Sequence, residues 1–255
     1  MIPDVRTPLA LALDGLIAPA SLREQAAWAA AAGFSALQLS AAAPGLRPRE
    51  LSRSARRDVA AILRSSELSL SGVDLWIPPA HLDDPARADR ALSALLDACD
   101  YTAEIAALVG GSPVLAVQLP PPTSAAAAVD ALITRAASIG VRIADHAWPS
   151  RPEASQPDAL AVGLDPPSIL LAGADPAAEA SRLSGRIAAA RISDLGPAGR
   201  VPPGKGRLDL LSYMIALLAR PAAAPTPVVD LRGIPDQHAV ARALVSRWST
   251  RRPAT

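Results

Sequence analysis

The chain has 255 residues, half of them hydrophobic but only 3% aromatic, so it can bury a sizeable core built from Ala, Leu, Val and Ile. A formal net charge of +1 gives no electrostatic case for nucleic acid or a membrane surface. The single cysteine, Cys99, excludes an intrachain disulfide and a cysteine zinc cluster.

Pro8–Ala20 is apolar and ends Ala18-Pro19-Ala20, which imitates a signal-peptide cleavage site. Asp14 interrupts the run, however, and Leu9–Leu13 followed by Asp14-Gly15 reads as a first strand and its loop, in a cytoplasmic protein. Ser21 with Glu24 makes a capping box for a helix that runs through Trp28 and stops at Gly33. Phe34–Leu39 is the second strand and Leu51–Arg64 the next helix. Leu68–Trp76 is the third strand, closed by Pro78-Pro79. Asp84 and Pro85 open a long helix from Ala86 to Leu108. Val114–Leu119 is the fourth strand, and Thr123 or Ser124 caps an alanine-rich helix to Ile139. Val141–Ala144 is the fifth strand, followed by a polar, Pro-rich stretch at 149–160. Ala161–Leu164 is the sixth, with helical pieces at Ile169–Leu171 and Pro176–Leu183. Arg186–Ile192 is the seventh, followed by a Gly/Pro-rich loop and a helix over Leu208–Ala219 at Asp209. Pro227–Leu231 is the eighth, Asp236–Trp248 the last helix, and Arg251–Thr255 a frayed tail.

Short continuous apolar runs suit strands buried on both faces of a parallel sheet. Eight of them alternating with helices in about 250 residues predict an α/β (β/α)₈ TIM barrel, a single domain over residues 1–255. A doubly wound sheet is the weaker alternative, since no Gly-x-Gly-x-x-Gly follows the first strand. No stretch approaches the ~18 unbroken apolar residues of a membrane span.

In such a barrel, chemistry sits at the C-terminal strand ends. Those exits carry Asp14, Gln38, Asp74, Gln118, Asp145 with His146, Asp165, Asp194 and Asp230. Converging carboxylates must bind a metal, pair with Arg or share protons, because unpaired like charges are costly at low dielectric. Asp145, Asp165, Asp194 and Asp230 are the site candidates, against the alternative that each Asp caps the following helix.

The stretch Ser71-Gly72-Val73-Asp74-Leu75-Trp76-Ile77-Pro78-Pro79-Ala80-His81-Leu82, the Asp165-Pro166 strand end and the segment 185–209 resemble the sugar phosphate isomerase/epimerase family of xylose-isomerase-like TIM barrels. The resemblance covers nearly the whole chain and rests on the order of loose motifs. It implies a divalent metal (Mn, Mg, Co or Zn) at the barrel mouth, a small sugar or polyol as ligand, and a base that moves a proton between adjacent carbons. Carried onto this chain, it assigns the metal to Asp145, Asp165 and Asp230 and proton transfer to His146 or Asp194. Gln38, Asp74, Trp76, His81, Gln118, Arg191 and Lys205 would line the substrate.

The chain also departs from that pattern. Asp stands at 145 and 230 where the family has Glu, and all six glutamates fall in helices or loops. The missing methylene shortens each reach by about an ångström, more than catalytic geometry tolerates. Arg191 stands where the family has the His of a His-x-x-Asp strand. If it points inward, its fixed charge can pair carboxylates bidentately and replace a cation; alternation along the strand also allows it to point out. Gly204-Lys205-Gly206, with the only lysine in the chain, offers backbone N–H groups to an anion. Two readings follow: a metal-dependent sugar or sugar-phosphate isomerase/epimerase, or a diverged, metal-free, non-catalytic barrel that binds a small polyol or a protein partner. Three histidines and near-neutral charge argue against the related DNA-repair endonuclease barrel, which needs a His-rich metal cluster and a basic groove.

Overall fold

The computed structural model describes residues 8–152, 157–219 and 226–249. The tail expected at Arg251–Thr255 lies outside the described residues, as do 153–156 of the Pro-rich stretch. Eight parallel strands close a barrel: β1 (Ala10–Ala12), β2 (Ala36–Ser40), β3 (Ser69–Asp74), β4 (Val114–Val117), β5 (Arg142–Asp145), β6 (Leu160–Leu164), β7 (Ile187–Ile192) and β8 (Val228–Val229). Neighbours pair in sequence order, and β1 closes against β8 through Ala10↔Val228 and Leu11↔Val229. The segment that imitates a signal sequence thus supplies a barrel strand. Between the strands lie α1 (Leu22–Ala32), α2 (Arg53–Ser65), α3 (Ala88–Val109), α4 (Ala126–Ile139), α5 (Pro166–Leu171), α6 (Pro176–Arg182) and α7 (Leu210–Leu218), with α8 (Gln237–Ser249) last. No helix among the described residues is long and apolar enough to cross a membrane.

The two faces of each strand explain the packing. Leu9, Leu11 and Leu13, Leu37 and Leu39, Ile143, Val162 and Leu164, and Ala190 and Ile192 point outward and merge with the inner faces of the helices into the main core. The inward positions are small: Ala10, Ala12 and Ala36 with Val228 form one interior cluster, and Ala144, Ala161, Ala188 and Ala189 with Val114 another. An interior of alanines is narrow-chained, where bulky branched residues usually fill a barrel of this kind. It leaves space toward the C-terminal end for long polar side chains.

The capping box at Ser21 forms, and Gly33 ends α1 in the left-handed conformation (φ 96°). Asp209 caps α7 by accepting the Ser212 N–H. Two helix starts differ from the sequence reading. Asp84 accepts the Ala86 N–H in a turn that precedes α3, which begins at Ala88. Neither Thr123 nor Ser124 caps α4; Ala125 stands there without a side-chain acceptor, while the Ser124 hydroxyl reaches the Asp83 carboxylate. The Gly/Pro-rich loop after β7 contains an antiparallel hairpin, 194–196 against 199–201, turning through Pro197-Ala198.

Candidate functional site

Arg191 points into the barrel. Its strand neighbours Ala190 and Ile192 belong to the outer core, so alternation turns Arg191 toward the axis, two residues beyond Ala189. The Tyr213 hydroxyl donates to its backbone carbonyl and fixes it from behind (3.1 Å). Its Nη2 donates to Asp74 Oδ1 at 2.7 Å. Asp230 Oδ2 lies 3.7 Å from Nε and Asp165 Oδ1 4.0 Å from Nη1. One guanidinium therefore sits among carboxylates from the third, sixth and eighth strands.

Two more arginines complete the cluster. Arg232, two residues after Asp230, donates from Nη2 to its Oδ2 at 2.6 Å and from Nη1 to Asp14 Oδ2 at 2.8 Å. Arg200 reaches in from the hairpin, with Nη1 3.1 Å from Asp230 Oδ2 and Nη2 3.4 Å from Asp165 Oδ1. Ser168 also donates to Asp165 Oδ2 (2.7 Å), and Ser40 to Asp14 Oδ1 (3.3 Å). Burial would push the Asp230 carboxyl up, but Arg191, Arg232 and Arg200 together hold it well below the usual carboxylate range. Burial lowers the Arg232 guanidinium, and Asp230 beside it more than reverses that. At Asp74 burial wins over Arg191 and Arg232, so its carboxyl is raised.

These residues do not fit the metal set that the resemblance implied. The Asp230 carboxylate faces three guanidiniums, and Asp165 faces two of the same three. Asp14, Asp74, Asp165 and Asp230 already meet three fixed positive charges; a dication added there would be repelled by all of them. Asp145 is not in the cluster. Val141 and Ile143 point outward, and Asp145 follows their parity. It accepts the Leu119 and Ala147 N–H groups (3.0 and 2.9 Å) and Arg151 Nε (3.0 Å). Burial raises its carboxyl despite these bonds. Among the described residues, no group of three His, Cys, Asp or Glu side chains is arranged to hold a metal.

Asp194 also takes a different part from the proton transfer expected of it. Its carboxylate accepts the backbone N–H groups of Leu195 (2.7 Å), Gly204 (2.9 Å), Gly206 (2.8 Å) and Leu208 (2.9 Å). Four donors saturate a carboxylate, leaving it nothing to abstract a proton with. The Gly204-Lys205-Gly206 loop does cradle an anion, and the anion is the chain's own. A Cβ at Gly206 would stand 2.6 Å from Asp194 Oδ1 and 2.5 Å from the Leu195 carbonyl oxygen, so the close approach needs glycine. Lys205 itself is exposed.

His146 points inward over Gly163, where a Cβ would meet its ring at 2.7 Å. It is buried, and neither ring nitrogen makes a well-formed hydrogen bond, the Leu164 backbone adding only a weak contact. Gln38 is buried with neither amide atom bonded, and Ser71 Oγ and Arg191 Nε are likewise unpartnered. Gln118 is half-buried at its strand exit. Trp76 (48% exposed) and His81, which contacts Arg87 at 2.9 Å, lie to one side in a rim groove.

Burial first, then Arg191 and Arg232, hold the His146 imidazole well below its ordinary 6.5, against the opposite pull of Asp230. The unfolded chain takes up a proton as pH falls through 6.5 and the folded chain does not. Stability from His146 is therefore complete above 6.5 and lost below it, at up to about 1.4 kcal/mol per pH unit. The raised carboxyls of Asp74 and Asp145 act in the opposite direction, gaining stability as pH falls. The difference between wild type and His146→Gln isolates the histidine. We expect that difference, followed by urea unfolding, to shrink from pH 7 to pH 5; a difference independent of pH would mean that the ring titrates in the folded state.

The sequence reading missed Arg200, Arg232 and Arg151. In a chain whose basic residues are arginine with one exception, an arginine at a strand end carries little signal of its own.

The fold is a (β/α)₈ TIM barrel with polar side chains gathered at its strand exits. Among solved structures it is similar to the probable 3-DHS dehydratase AsbF of Bacillus anthracis (TM-score 0.74, 12% identity, covering 96% of this chain and 100% of that one). It is also similar to an L-ribulose 3-epimerase (0.70, 16%, 94% of each chain) and to the IolI protein with a bound zinc atom (0.69, 14%, 95% of each). No protein-family model matches the chain, and no curated protein matches it in sequence.

Proposed function

We propose that this chain is a diverged, metal-free and non-catalytic barrel, a single cytoplasmic domain, that binds a small sugar or polyol at its mouth. The observation that carries this reading is the Arg191 guanidinium on the barrel axis, 2.7 Å from Asp74 and flanked by Asp165 and Asp230. A fixed guanidinium there can pair these carboxylates and so supply the positive charge that a divalent ion would otherwise bring. Proton transfer between adjacent carbons needs two acid/base groups. Asp194 is saturated by backbone donors, and His146 is buried without a partner to relay its proton. What remains suits recognition of hydroxyl groups. Gln38, Ser71, His146 and Arg191 Nε offer buried donors and acceptors that no hydrogen bond uses, and buried polar atoms ordinarily find partners. Solved neighbours include epimerases bound to D-allulose and in the presence of D-fructose, which makes ketohexoses the first ligands to test.

The test is isothermal titration of EDTA-treated protein with Mn²⁺, Mg²⁺, Co²⁺ and Zn²⁺, and separately with D-fructose, D-allulose and sorbitol. Saturable heat from a polyol without metal, and none from the ions, is expected. One tightly bound ion per chain, with metal-dependent epimerisation of either ketose by ¹³C NMR, would establish the isomerase instead. No heat from any of the three polyols would overturn the ligand class.

A further inference from the structure

Beside the mouth, a groove of about 520 Å³ runs between the loops after β2 and β3 and the N-terminal half of α3. That volume suits a small molecule. Its origin is in the sequence. Arg87, Arg90, Ala91, Ala94 and Asp97 recur at helical spacing along one stripe, so α3 and the turn before it present arginines at one end and small residues in the middle. Ala41, Ala42 and Leu75 complete an apolar floor. Trp76 stands at the edge, two residues beyond Asp74, with its indole about half exposed.

The groove has a one-sided charge. Arg47, Arg49, Arg87 and Arg90 line it, against Asp97 as its acidic lining residue. Arg47 pairs with Glu50 at 3.1 Å and Arg87 with Asp84 at 3.2 Å. Arg49 and Arg90 are exposed and make no ion pair among the described residues. His81 approaches Arg87 Nη1 at 2.9 Å through Nε2, so the guanidinium, which has no acceptor, donates to an unprotonated ring nitrogen. Free guanidiniums match phosphate oxygens bidentately, and an exposed indole offers a face to a ring.

We infer that this groove is a binding site for a phosphate monoester of a ring-bearing small molecule, with the ring on Trp76 and the phosphate on Arg49 and Arg90. The inference does not depend on what the barrel mouth binds. The probe is phenyl phosphate, with phenol and inorganic phosphate as controls, followed by tryptophan fluorescence and calorimetry at low and high salt. Phenyl phosphate should quench saturably, weaken as salt rises, and bind at least tenfold more tightly than either control. Arg49→Ala/Arg90→Ala should weaken it at least tenfold with an unchanged circular dichroism spectrum, since both side chains are exposed. Trp76→Phe should remove the quenching, assigning the signal to that indole among the four tryptophans. Binding should persist with D-fructose saturating, so a silent polyol titration leaves this site testable. No saturable binding, binding equal to that of phenol or of inorganic phosphate, or affinity unchanged in the double-arginine variant overturns the inference.

Discussion

Arg191→Met should destabilise the fold by about 3–5 kcal/mol at pH 7, the range seen when one partner of a buried ion pair is removed. Methionine keeps much of the volume and removes the charge, so little of the loss is cavity. Asp74 then loses its 2.7 Å partner while fully enclosed, with Arg232 no nearer than 4.0 Å. Asp230 keeps Arg200 and Arg232, so most of the effect falls on Asp74. The Asp74 carboxyl, raised by burial even with Arg191 present, would rise further. A carboxyl whose folded pKa exceeds its unfolded value favours the folded state below the unfolded value and loses that advantage as pH climbs through the folded one. The penalty should therefore shrink on acidification, and Asp74→Asn/Arg191→Met should recover part of it at neutral pH. Urea unfolding at pH 7 and pH 5 reads both. A loss under about 1 kcal/mol, independent of pH, would show that Arg191 is a spectator rather than the centre of the cluster.

The barrel was legible because its strands are buried on both faces, which writes each as an uninterrupted apolar run between turn residues. The ring of strand ends was legible for the same reason, since a polar residue closing such a run has few places to go. Direction was harder. Asp145 appeared beside Asp165 as a ligand, yet Val141 and Ile143 already set the parity that turns Asp145 outward and His146 inward. The hairpin was also readable, with Leu195 and Val201 flanking Gly196-Pro197-Ala198-Gly199. The roles of Arg200 and Arg232 were not. Arg200 meets partners 30 and 35 residues away, and Arg232, besides Asp230 two residues before it, reaches Asp14 across the closed barrel. Arg191 was the intermediate case: its position was readable, and its orientation needed the packing of Ala190 and Ile192.

The loop that carries Arg200 should be as sensitive to Asp194 as the axis is to Arg191. Hydrogen bonds to a charged acceptor contribute about 1.5–3 kcal/mol each and do not add fully. Asp194→Ala, which strands four backbone donors, should cost at least about 3 kcal/mol on that scale. Asp194→Asn separates acceptor chemistry from shape. Its volume is nearly the same, but one oxygen becomes an NH₂ facing N–H groups that it cannot satisfy, so it should lose most of what alanine loses. The defect should begin locally. Amide exchange should accelerate first at Gly204, Gly206 and Leu208 while the β5 and β6 amides stay protected. Because the hairpin starts at Asp194 and holds Arg200 against Asp165 and Asp230, loosening the loop removes one of Asp230's three cations. The stability that the depressed Asp230 carboxyl contributes is complete above its ordinary 3.8 and lost as pH falls toward the folded value. The part of the Asp194→Asn deficit that comes through Asp230 should accordingly be full above pH 3.8 and narrow below it. An asparagine variant within about 0.5 kcal/mol of wild type, the ordinary spread for a surface substitution, would mean that the loop holds its shape without the carboxylate. Arg200 would then be positioned by its own pairing with the strand ends, not by the cradle beneath it.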